Sequence, residues 1–152
     1  MRRLVLVAML LGCYPATTRP DVTPVPDALR IEIELFVPQA TRALAVALDA
    51  DSLPVRRTEP DDGWRESAWI DAATLQPTTR RPVGMDVVKV RAFVEPGRPN
   101  HSVIYVETVY RGVVDPARPA RELELQVPVG HPVGARVARA VERLVAEYGG
   151  EP

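Results

Sequence analysis

Three serines, two histidines, one cysteine and scattered carboxylates are the residues with which this 152-residue chain could do chemistry. None of Ser52, Ser67 and Ser102 stands in the Gly-x-Ser-x-Gly turn that exposes a serine nucleophile. His101 adjoins Ser102, but neighbouring residues of a strand point to opposite faces, so the pair cannot act as nucleophile and base. His131 precedes Pro132, where a polar helix-capping position explains it. Asp61-Asp62 sits in a turn-forming run, Pro60-Asp61-Asp62-Gly63, where aspartate bonds its own backbone. Asp49 and Asp51 would take a cation only with oxygens brought from elsewhere. Glu122 and Glu124 share a strand face, and their alternation with Leu123 and Leu125 predicts a solvated one. No calcium-loop, zinc-ligand or phosphate-loop spacing occurs. The expectation is a non-enzyme with no metal and no cofactor.

Binding is the better prospect. On the predicted hairpin strand Trp64, Ala68 and Ile70 share one face, leaving Trp69 on the other with Arg65 and Ser67. Phe93 falls with Lys89 and Arg91, opposite a Val/Ala face, and Tyr105 lies on a strand with apolar weight on both sides. If helices cover one side of the sheet, Trp69, Phe93 and Tyr105, flanked by Arg65 and Arg91, form a partner-binding surface, since aromatics and arginine are enriched at interfaces. The competing expectation is that loops or termini cover these residues.

The only cysteine has a telling position. Met1-Arg2-Arg3 is a basic start, residues 4–11 are an apolar run, and Gly12-Cys13 follows. These are the parts of a secretory signal, and the run is far shorter than the ~20 residues of a membrane-spanning helix. Leu10-Leu11-Gly12-Cys13 resembles the lipobox of bacterial lipoproteins. That resemblance implies cleavage before Cys13 and acylation of its sulfur and amino group, which gives stable anchoring at ~0.8 kcal/mol per buried CH₂. It also implies a cell-envelope location on the periplasmic side, with Tyr14 after the cysteine favouring the outer membrane over the inner.

The rest of the sequence must supply what the anchor carries. With 46% hydrophobic and 26% charged residues the chain has ordinary globular usage, and 19 basic against 20 acidic side chains give no field that would draw nucleic acid. One cysteine makes no internal disulfide. Residues 14–26 hold four prolines interspersed with threonines, which predicts an extended spacer. Ile31, Ile33, Leu35 and Val37 alternate with polar residues as a strand that Pro38 ends. Ala40, Ala43, Leu44, Ala47 and Leu48 follow at helical spacing, to about Asp51.

A hairpin follows, with strands from Val55 to Glu59 and Trp64 to Ile70. Further strands fall around 88–95, 102–113 and 123–127, and a long amphipathic helix starts at Pro132 and stops at Gly149-Gly150. The order β-α-β-β-β-β-α predicts an α+β two-layer sandwich: an antiparallel sheet of five or six strands with both helices on one face. The organisation expected is a signal over 1–12, a lipid-anchored Pro/Thr-rich tether over 13–27 and one domain over 28–150.

This combination resembles the small bacterial lipoproteins with helix-grip domains, the BamC/NlpB-like family of the outer-membrane β-barrel assembly machinery. The likeness rests on the architecture and on the stretch from Ala40 to Ile70. It implies a lipid-anchored domain that contacts other envelope proteins, an accessory of outer-membrane assembly. The alternative is a periplasmic lipoprotein that binds a small ligand or lipid in a pocket between the sheet and the C-terminal helix.

Overall fold

A computed structural model describes residues 17–151; Cys13 and the expected signal segment lie outside the described residues. The first strand, β1 (Leu29–Ile33), buries Ile31 and Ile33. Sequence reading continues this strand to Val37 with Pro38 as its stop. Instead, helix α1 (Val37–Ala50) begins there, with Pro38 in its first turn. A helix's first amides need no intrahelical acceptor and proline's fixed φ suits that turn, so Pro38 starts an element rather than ending one. Ala40, Leu44 and Leu48 recur every four residues on its buried face, and the buried Thr41 satisfies its hydroxyl on the Val37 carbonyl at 2.8 Å.

Strands β2 (Val55–Glu59) and β3 (Trp64–Ser67) form the expected hairpin. Gly63 closes it with φ +61°, and a Cβ there would stand 2.1 Å from the Val94 carbonyl oxygen. Gly63→Ala is therefore expected to cost at least about 2 kcal/mol in urea unfolding, through left-handed strain and a clash with backbone that cannot move aside. An unchanged midpoint would contradict that contact.

The predicted strand from Trp64 to Ile70 breaks after Ser67. There the Ser67 hydroxyl takes up the Val90 amide at 2.9 Å, and the chain resumes as β4 (Ile70–Asp71). Both pieces pair with β5 (Val87–Pro96), β3 at residues 91–93 and β4 at 87–88. A turn leads to β6 (Ser102–Arg111), whose early residues pair with β1 and whose last ones pair with β7 (Glu124–Gln126), after a 3₁₀ turn over Ala120–Leu123. Helix α2 (Pro132–Tyr148) turns its buried stripe of Val133, Val137, Ala140, Val141 and Leu144 to the sheet. The short β8 (Gly150–Glu151) pairs with Glu32 and Ile33.

The antiparallel sheet runs β2-β3-β5-β6-β1-β8, with β4 extending the β3 position and β7 extending the β1 position. Both helices pack on one face over Ile33, Val90, Ala92, Val94, Ile104 and Val106, giving the α+β two-layer sandwich. Among the described residues no helix is long and apolar enough to cross a membrane.

The other face is not bare. Residues 17–28, most of the expected free tether, form a strap across it. Thr18 binds Asp62 through its amide at 2.7 Å and its hydroxyl at 2.6 Å. Arg19 reaches Glu95 at 2.6 Å and lies 5.4 Å above the Phe93 ring, and the Val25 amide donates to Glu107 at 3.0 Å.

Candidate functional site: a roofed ion network on the sheet

Beneath the strap, register sets opposite charges side by side. Glu66 faces Arg91 across β3–β5, and Arg91 faces Glu107 across β5–β6. Odd-numbered residues of β5 and β6 point away from the helices, so Lys89, Arg91, Glu107 and Arg111 share this face. Arg91 is the hub. Its Nε donates to Glu66 at 2.9 Å, its Nη1 to Glu107 at 2.8 Å and to Glu124 at 2.7 Å, and its Nη2 to Glu124 at 3.0 Å. Arg121, from the 3₁₀ turn, donates to both oxygens of Glu107 at 2.6 and 2.9 Å and to the Thr23 carbonyl of the strap. Arg111 reaches Glu124 at 3.3 Å, and Lys89 reaches Glu66 at 3.2 Å.

The Glu107 side chain is 0% exposed, Glu124 1% and Arg91 8%. A carboxylate that deeply placed stays charged only with compensating partners. Burial pushes the Glu124 carboxyl up, but the hydrogen bonds and charge of Arg91, with Arg121 and Arg111, hold it below the usual carboxylate range. Burial likewise pulls on the Arg91 guanidinium, yet Glu124, Glu66 and Glu107 raise it above its ordinary value. Burial lowers the Lys89 ammonium, and Glu66 opposes that only in part.

The cavity over these groups is about 230 Å³ and lined by Pro20, Val22, Trp64, Arg111 and Arg121, below the ~300–1,000 Å³ of ordinary ligand sites. The arrangement holds the strap and the 3₁₀ turn to the sheet.

The sequence-predicted surface residues do not form one open patch. Phe93 is 0% exposed, against Trp64 at 5.1 Å between ring centroids and beneath Arg19. Arg91 is buried in the network. Arg65 lies on the helix-facing side, bonded to Asp49 of α1 at 2.6 Å. The break after Ser67 ends the alternation on which the face assignment rested: Trp64 joins Phe93, whereas Ile70 joins the core. Trp69 is half-buried, with Lys89 and Arg111 at 5.0 and 4.9 Å from its ring, and Tyr105 is half-buried beside Phe93.

Glu124 and Leu125 also reverse their expected faces: Glu124 is buried and Leu125 is 51% exposed. Pairing of Glu124 with Arg111 and of Leu125 with Tyr110 fixes that choice. Ser102 spends its hydroxyl on the Leu35 carbonyl, and His131 contacts the Met85 carbonyl at 3.0 Å. Among the described residues no three of His, Cys, Asp and Glu are grouped to hold a metal.

Sequence reasoning missed Glu66, Glu107 and Glu124 as a set. The available signal was a run of opposite charges at β-sheet positions otherwise filled by Val, Ile and Tyr. The space expected between the sheet and α2 is filled by side chains such as Ile33, Val137 and Leu144. Two open grooves lie beside α2, one of about 410 Å³ lined by Leu29, Ile31, Val141 and Val145 and one of about 420 Å³ lined by Gln126, Val127, Gly134 and Ala138. Compared with known proteins, this chain matches no protein-family model and no curated sequence.

Proposed function

We propose that this chain is a lipid-anchored envelope protein, held on the periplasmic side by acyl chains on Cys13, whose α+β domain binds another envelope protein and catalyses no reaction. The observation that carries the reading is Leu10-Leu11-Gly12-Cys13 after a basic start and an apolar run. The strap sets how far the anchor can lie from the domain: five residues after Cys13, Thr18 is already bound to Asp62.

The partner surface best fits the end of the sheet remote from that attachment. Arg111 lies seven residues along β6 from Ile104, the pairing partner of Val94, about 24 Å at strand rise. Here Met85, Val113, Val114, Leu125 and Val129 are all exposed. The loops bearing them are tied together: Gly84 donates to the Arg111 carbonyl at 2.7 Å and His131 contacts Met85. Exposed apolar side chains gathered on one surface mark interaction sites.

The test is the mass and location of the mature protein in its producing cell. The expected product starts at Cys13, carries added acyl mass and sediments with membranes, whereas Cys13→Ala keeps its leader and bears no acyl chain. A photocrosslinker at Leu125 should capture an envelope protein. A soluble, unacylated wild-type product would overturn the reading.

A further inference from the structure

Resting on that anchoring, the geometry points to a second surface: we propose that the end of the domain formed by the Asp62 turn and Phe36 lies directly on the lipid bilayer. The Pro/Thr-rich run predicts a spacer some tens of ångströms long, but only residues 14–16 separate Cys13 from the described strap. Thr18, the first residue held on the domain, is five Cα-to-Cα steps from Cys13, which reach at most about 18 Å. The strap's near end is fixed, because both the amide and the hydroxyl of Thr18 bind Asp62 and Arg19 binds Glu95. An acylated Cys13 therefore keeps the β2–β3 turn within about that distance of the headgroups.

Phe36 stands at the same place. A Cβ on Gly63, the residue after Asp62, would lie 3.0 Å from the Val37 side chain, so the turn abuts the start of α1. Phe36, just before that helix, is 58% exposed. An exposed apolar ring beside the exit of the acyl chains can bury itself at the boundary between headgroups and acyl chains. Asp61 and Glu34 are exposed around it. Their charge makes a zwitterionic surface a better fit than an anionic one.

The experiment uses the full acylated protein in phosphatidylcholine vesicles. Cys13 is the chain's only cysteine and acylation blocks it, so Phe36→Cys or Val129→Cys can carry a single spin label. The expected result is that a label at 36 collides several-fold more with a lipid-soluble relaxant than with a water-soluble one, and that a label at 129 shows the reverse. Adding phosphatidylserine should weaken the effect at 36. Acylated protein with equally water-exposed labels at both positions would overturn this orientation and leave the anchoring intact. Protein without acyl mass at Cys13 would overturn both.

Discussion

Arg91→Met is expected to remove about 3–5 kcal/mol of folding free energy, the usual cost of deleting one side of a buried ion pair. Against a total of about 5–15 kcal/mol for a domain, this is between about a fifth and the whole of the folding free energy. The reason lies in what remains. Glu124 and Glu107 are enclosed by the sheet, the strap and the 3₁₀ turn, and Arg91 gives one or two hydrogen bonds to each. Arg121 and Arg111 cannot turn to supply the lost donors, because they already serve the same carboxylates from the rim.

Arg91→Lys should recover less than half of the loss, since one ammonium cannot reach three carboxylates lying around a planar fork. Replacing Arg91, Glu107 and Glu124 together by Met or Leu should cost less than Arg91→Met alone, because no charge is then left stranded. Urea unfolding followed by circular dichroism checks all three. An Arg91→Met variant within about 0.5 kcal/mol of wild type would mean the network is not closed as described.

Local patterning and tertiary pairing divide what the sequence revealed from what it concealed. The periodicity of Ala40, Leu44 and Leu48, the Pro60–Gly63 turn and the Val133–Leu144 stripe depends on residues a few positions apart, and each of those elements lies where expected. So does the layering, since an amphipathic helix and a half-apolar strand each have only one face to bury.

The ion network depends instead on which strands meet. Val25 and Glu107 are 82 positions apart, Arg19 and Glu95 are 76 apart, and no local pattern links them. In the three residues of β7 the alternation is too short to specify a face, and pairing with β6 decides it. The strap was hidden for a related reason. Proline and threonine specify an extended backbone but not whether that backbone stands in solvent or lies on a neighbour. The choice between an open patch and cover by loops or termini falls to the cover for Phe93 and Arg91, and Arg65 turns to the helix side, because the strap, the network and the break after Ser67 are all non-local.

Acid should unfold the protein through the same network. Glu124 binds its proton less readily when folded than its unfolded value of 4.5 implies, because the arginines around it outweigh the effect of burial. A group lowered in this way contributes its full stabilisation above the unfolded value and loses it as pH falls through the folded one. Unfolding free energy should therefore be level from neutral pH to about pH 5, then decline, with Glu124 contributing about 1.4 kcal/mol for each unit of lowering. Asp62, held low chiefly by the hydrogen bonds from Thr18, and Glu32, held low by Arg98, add to the decline from the surface. The share due to Glu124 is read by difference. Glu124→Gln should be less stable than wild type at pH 7, and the gap between the two should narrow steadily from pH 5 to pH 3, since only the wild type still has that proton to take up. Parallel curves across this range would show that Glu124 takes up its proton equally readily folded and unfolded, and a wild type that gained on the variant as pH fell would show it already protonated when folded; either result would defeat the pairing drawn for it with Arg91, Arg111 and Arg121.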